Sequence, residues 1–286
     1  MMKNLFDGID SAVVRNLSER PEALADDLFL RETANAQVIQ IAGVDTAPRT
    51  PVELPLTQAN IYALNLGLLA EYFETELYSR GLAVESLIPN ELRQVFVRFL
   101  LNEVMQREIL LTVLGSRAID KPNFDFTAQS RLITVFSLFE TFSGLAQSSE
   151  DLGVRAYKGQ AGNVMNNDFA LTTALRFHSV EARHASELRR IRGNKGWITL
   201  NQRGNLPELS QPVYNGEEVT VQGGIDLVAL TGYSAETVSE SFDEPLSGDQ
   251  VLDIVRNFVR HGILHFPSLD NSKRFRTARS ETTQTL

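Results

Sequence analysis

Cysteine is absent from this chain of 286 residues, which removes disulfides, thiolate metal sites and thiol catalysis from consideration. No apolar run approaches the length of about 18 residues that a membrane-crossing helix needs. The opening residues, MMKNLFDGIDSAVVRNL, contain neither an apolar core nor a small-residue cleavage site. No secretory signal is therefore visible; the cytoplasm is the default expectation and export stays open. Positive charge is in short supply, with 27 Lys and Arg against 36 Asp and Glu, a net charge of −9 and a pI of 5.1. A nucleic-acid partner is not expected on that balance. The one basic cluster, Arg183 to Lys195, falls at the end of a helical pattern, where cations complement the helix dipole.

What the chain does have is a 43% hydrophobic composition, enough for a large core, and an internal repeat. Glu71 is followed seven residues later by Tyr78, and Glu150 by Tyr157 at the same offset. Glu103 opens the run Glu103-Val104-Met105-Gln106, 32 residues after Glu71. Glu181 opens Glu181-Ala182-Arg183-His184, 31 residues after Glu150. Twice, then, the chain reads Glu, six residues, Tyr, and one helix-and-turn later Glu-x-x-(Gln/His). Two helical hairpins in a repeated register are the expectation. One Glu from each of two helices and a Glu-x-x-His from each of the other two is also the ligand plan of a four-helix bundle holding two metals.

The glutamates lie on apolar seams. The first helix, from about Thr57 to Gly81, aligns Leu64, Leu68, Glu71, Thr75 and Tyr78. The second, after Pro89 and up to Gly115, aligns Leu92, Phe96, Phe99, Glu103, Gln106, Leu110 and Val113. Residues 116–125 read as a connection. A third helix is expected from about Phe126 to Gln160, with Phe136, Phe139, Ser143, Ala146, Glu150, Val154 and Tyr157 on one face. The fourth, from about Asn167 to Arg192, carries Ala174, Phe177, Glu181, His184, Leu188 and Ile191, with Gly193 as its cap.

Around the repeat, residues 1–50 read as an N-terminal helical segment and 51–193 as the bundle. Residues 194–267 read as an irregular extension with one hairpin and a final helix, opened by a Ser247/Gln250 capping box. The polar stretch 268–286 reads as a disordered tail.

A carboxylate in an apolar seam is unfavourable unless paired or metal-bound. A single helical glutamate is usually solvated, and a single histidine is usually a hydrogen-bonded core residue. Four glutamates on four seams in a repeated register are poorly explained that way. The candidate ligands are thus Glu71, Glu103, Gln106, Glu150, Glu181 and His184, a donor set suited to iron or manganese. Glu74 and His178, one turn from these positions, read as second-sphere or surface residues, with membership of the ligand shell left open. Glu76 and Glu108 read as solvated, and Tyr78 and Tyr157 as core tyrosines or donors to the site. Gln106 is the irregular member, because an amide oxygen is a weaker ligand than imidazole.

Three phrases carry a resemblance. ALNLGLLAEYFETELYSRGL, EDLGVRAYKGQA and VEARHASELRRI resemble the first, third and fourth helices of the ferritin-like superfamily, in its branch of ferritin-like or desiccation-related proteins. The resemblance covers roughly residues 57–192. It implies an all-α, ferritin-like four-helix bundle with a dinuclear iron or manganese carboxylate centre that reacts with oxygen or peroxide. Gln106 departs from the family's histidine, so a stress-associated structural bundle with a vestigial site is the alternative. Metal ions are the partners implied; no nucleic acid or membrane is expected, and a homo-oligomer remains open.

Overall fold

The computed structural model describes residues 54–260 together with 264, 266 and 267. The expected N-terminal helical segment over residues 1–50 and the tail from Ser268 lie outside the described residues.

Four long helices form the bundle: α1 (Gln58–Ala83), α2 (Arg93–Leu114), α3 (Phe139–Val164) and α4 (Asp168–Ile191). Their boundaries follow from local chemistry. Thr57 and Asn60 form a reciprocal capping box at the start of α1. The Asn60 amide also donates to the Asn163 carbonyl and to Asn166 Oδ1, both at 2.8 Å, tying the start of α1 to the α3–α4 turn. Asn167 caps α4 by accepting from the Ala170 amide at 2.9 Å. Past α4, Gly193 takes a φ of +75°, a conformation that glycine adopts without steric cost. α1 packs against α2 and α3, and α3 against α4. All five positions of the expected α1 stripe are buried, and the other seams face inward as their spacing requires.

The third helix begins later than the apolar pattern suggests. Residues 126–138 are a series of turns, and α3 starts only at Phe139. The competitor is Asp125: its carboxylate accepts from the backbone amides of Thr127 and Gln129 at 3.0 and 3.1 Å. Such side-chain capture draws amides away from a helical ladder. Ala128, Gln129 and Ser130 follow with positive φ. From this connection Phe124 packs edge-to-face, and Phe126 at a tilt, on Phe73 of α1.

Beyond α4 the chain is built from short pieces: α5 (Gln211–Tyr214), a hairpin of β1 (Val221–Gln222) and β2 (Ile225–Asp226), α6 (Leu227–Thr231), α7 (Ala235–Ser239) and α8 (Gly248–Val255). The Ser247/Gln250 capping box is present at α8. This extension covers the outer side of α3, and every residue from Phe142 to Tyr157 is buried. It explains the polar residues there. Arg155 reaches the carbonyls of Glu244 and Asn215 at 2.7 and 3.1 Å and pairs with Glu217 at 2.6 Å. Asp151 pairs with Arg189 and accepts from the Tyr214 hydroxyl, both at 2.6 Å. Among the described residues no helix is long and apolar enough to cross a membrane.

Candidate metal centre

The repeat brings its residues to one place. Glu71 from α1, Glu103 from α2, Glu150 from α3 and Glu181 from α4 are each wholly buried in the bundle interior, with Gln106 and His184 beside them. Two groups of ligand atoms emerge, each with its atoms within 4.8 Å of one another: Glu103, Glu150 and His184, and Glu71, Glu74, Glu103 and Glu181. Glu103 belongs to both.

His184 shows how this arrangement is poised. Its Nε2 lies 3.3 Å from Asn102 Oδ1, an acceptor that suits the tautomer with the ring proton on that nitrogen. The opposite nitrogen, Nδ1, then offers a lone pair toward Glu103 Oε1 at 2.7 Å and Glu150 Oε2 at 3.3 Å. None of these three atoms has a hydrogen-bond partner of acceptable geometry. Three buried ligand-type atoms thus converge without a hydrogen bond of acceptable geometry among them. The same holds across the cluster: Glu71 Oε2, both oxygens of Glu74, Gln106 Oε1 and Glu181 Oε2 are also buried without a hydrogen-bond partner. Unsatisfied buried acceptors at this density are rare in proteins and call for an ion or another explanation.

The tyrosines of the repeat serve the site crosswise. The Tyr157 hydroxyl donates to Glu71 Oε1 at 2.5 Å, and the Tyr78 hydroxyl donates to Glu150 Oε1. Close packing depends on two glycines. A Cβ at Gly67 would stand 2.7 Å from the Tyr157 hydroxyl, and one at Gly153 would stand 2.4 Å from Glu181 Oε2. Gln106 donates through Nε2 to Glu103 Oε2 at 2.9 Å and to Glu181 Oε1 at 3.3 Å.

Without a cation, burial dominates the electrostatics. Loss of water pushes the Glu71 carboxyl up to about 7, with the Tyr157 hydrogen bond pulling the other way. Burial raises Glu74, Glu103 and Glu181 well above the usual carboxylate range, and the neighbouring carboxylates raise them further.

Two residues stand apart from the surface here. Glu74, for which the sequence left shell, second-sphere and surface positions open, is 1% exposed and stands among the cluster's carboxylates. The available signal was its position three residues after Glu71, which puts both on one helix face. Glu108, read as solvated, is buried and paired with Arg107 at 2.8 Å. His178 stays apart, with Nδ1 3.0 Å from the Val154 carbonyl. It lines a cleft of about 450 Å³ with Tyr157, Trp197 and Asp243, where the extension meets α3 and α4.

Residues 59–194 match a family model described as ferritin-like domain. No curated protein matches the chain. No solved structure matches it either.

Proposed function

We propose, from the premise that residues 59–194 form a ferritin-like domain, that the buried cluster holds two divalent metal ions, iron or manganese. Glu71, Glu103, Glu150, Glu181 and His184 would be ligands, with Gln106 beside them. The observation that carries this reading is the convergence of His184 Nδ1, Glu103 Oε1 and Glu150 Oε2, all buried and without a hydrogen bond of acceptable geometry. Charge supports it as well. Five buried glutamates share the cluster, and the nearby Arg107 is already paired with Glu108. Two divalent ions supply four positive charges, so the carboxylates need not stay protonated.

When bound, such a pair of ions supplies redox chemistry toward oxygen or peroxide. The chain's own residues supply the rest. Asn102 holds His184 in the tautomer whose Nδ1 is free to ligate. Tyr157 and Tyr78 orient Glu71 and Glu150, leaving the second oxygen of each carboxylate unpartnered. Phe99 packs against His184 with ring centroids 4.6 Å apart and planes tilted by 48°, excluding water from that side. Tyr157, bonded to Glu71, also borders the cleft between α3, α4 and the extension, and a small reactant would approach by that side.

A specific observation keeps the second reading in play, a stress-associated structural bundle with a vestigial site: Gln106 stands where the repeat calls for histidine. Anaerobic titration of the metal-free chain with ferrous iron and with manganous ion separates the two. The expected result is two ions bound per chain, followed by oxygen consumption when air is admitted to the iron form. Absence of binding by either ion would establish the structural reading.

A further inference from the structure

We infer that Glu74 takes the place of the imidazole missing from the first half of the repeat, making the two metal positions chemically different: one all-oxygen, one containing imidazole. This rests on the dinuclear reading above.

The register makes the exchange visible. Aligning Glu71 with Glu150 sets Glu74 opposite Gly153, and aligning Glu103 with Glu181 sets Gln106 opposite His184. Each half departs from the other at these two positions. The half without histidine has an additional carboxylate, and the half with histidine has glycine there. Geometry couples the changes. Glu74 joins Glu71, Glu103 and Glu181 in one group of ligand atoms, whereas His184 joins Glu103 and Glu150 in the other. At Gly153 even a Cβ would fall 2.4 Å from Glu181 Oε2, so a side chain at the matching position of that half would displace the Glu181 carboxylate.

Glu74 also has the features of a ligand rather than a structural acid. It is 1% exposed, neither oxygen has a hydrogen bond of acceptable geometry, and the nearby Ser149 hydroxyl donates instead to the Ala146 carbonyl at 2.9 Å. Gln106 meanwhile points its amide nitrogen at Glu103 and Glu181, which orients those carboxylates and fills the place of the lost imidazole without donating a lone pair. The bland alternative is a protonated acid lodged against the apolar pocket formed by Ala70, Phe73, Leu145, Leu152 and Phe258, which Glu74 also lines.

Oxygen-only ligation suits a hard ion such as manganese or magnesium, whereas a position with imidazole favours iron or cobalt more strongly. The all-oxygen position should therefore prefer manganese over cobalt relative to its neighbour.

The test is metal binding to the metal-free full chain, by equilibrium dialysis and calorimetry with Mn²⁺ and Co²⁺. The wild type is expected to bind two ions. Glu74→Gln should bind one tightly, the second weakened by about 100-fold or more, at the upper end of what a lost supporting contact does. The remaining Co²⁺ should show a paramagnetically shifted, exchangeable imidazole proton from His184. His184→Ala should lose the other ion and raise the Mn²⁺ over Co²⁺ preference of the one that stays. The double variant Glu74→Ala with Gln106→His should regain a second, cobalt-preferring ion. Folding is checked by melting without metal, where Glu74→Gln is expected to be at least as stable as wild type because it replaces a buried acid with a neutral amide. Two ions bound by Glu74→Gln within three-fold of the wild-type affinities would overturn the inference and leave the dinuclear reading intact. No ion bound by the wild type would overturn both.

Discussion

The two halves of the bundle are built to one plan and differ where it matters chemically. In the second half, α3 and α4 present Glu150, Glu181 and His184, with Gly153 making room for the Glu181 carboxylate. In the first, α1 and α2 present Glu71 and Glu103, with Gln106 and Glu74 where the second half has histidine and glycine. The shared part of the plan is carboxylates at the bundle centre and tyrosines aimed across it. The variable part is the nature of the fourth donor. A repeat can thus keep its geometry while its halves diverge in ligand type, provided the divergence occurs at positions that face the same carboxylates.

The strongest way to break the comparison is to remove a residue that both groups use. Glu103→Ala is expected to abolish binding of both ions. Where the metal was present at 1,000 times its dissociation constant, the variant should lose about 4 kcal/mol of metal-dependent stability per independent ion, read as a lower melting temperature. If one ion remained at wild-type affinity, Glu103 would not be shared.

Gly153→Ala should act nearly as strongly on binding, and with a telling sign. Alanine in a helix interior gains about 1 kcal/mol over glycine. Its Cβ displaces Glu181 Oε2, so metal affinity should fall even where the metal-free protein melts no lower. Parallel melting curves with and without manganous ion measure both effects.

pH offers a test without mutation. The Glu71 carboxyl is held up to about 7 in the fold, above its unfolded value of 4.5, and Glu74, Glu103 and Glu181 shift the same way. A raised acid contributes stability that is full below its unfolded pKa and is lost as pH rises through the folded one. The metal-free protein should therefore melt at lower temperature at pH 8 than at pH 5.5. The metal-loaded protein should show the opposite slope, because ligands bind as anions. A metal-free melting temperature that rises from pH 5.5 to pH 8 would contradict the buried cluster.

Tyr157→Phe and Tyr78→Phe should each weaken one position about ten-fold. The first acts through Glu71 and the second through Glu150, so the two variants should affect different ions. The smallest effect is expected for Gln106→His alone. Its imidazole would enter space that already has Glu74 as a donor, so stoichiometry should stay at two and affinity should change by less than about three-fold. A large gain on titration would mean that Glu74 is not serving that position.

Much of this was legible from spacing alone. A seam of period 3.6 with glutamate at its centre placed Glu71, Glu103, Glu150 and Glu181 together, because helix geometry converts sequence interval into direction. Caps were equally readable, at Thr57, Asn167 and Ser247. The start of α3 was not, because the aromatic pattern before Phe139 belongs to a crossover packed on Phe73 and held by Asp125. Aromatic burial looks the same in sequence whether the backbone is helical or turned. Glu108 was misread, and Glu74 left undecided, for a related reason. Their burial depends on which side of the helix is covered by other elements, and α1 is apolar and buried nearly all round. The role of the tyrosines was undecidable, since a buried tyrosine and a donor to a carboxylate have one signature.

The crossed hydroxyls have a consequence for how the domain comes apart. Tyr78 belongs to the first hairpin and holds Glu150 of the second; Tyr157 belongs to the second and holds Glu71 of the first. Divided in the crossover between α2 and α3, each fragment would retain its glutamates and lose the hydroxyl that orients one of them. Neither fragment is then a half-strength site; each is an incomplete one that only its complement can restore. The centre is thus a property of the pairing of the hairpins, and its assembly reports on their association more directly than helix content would.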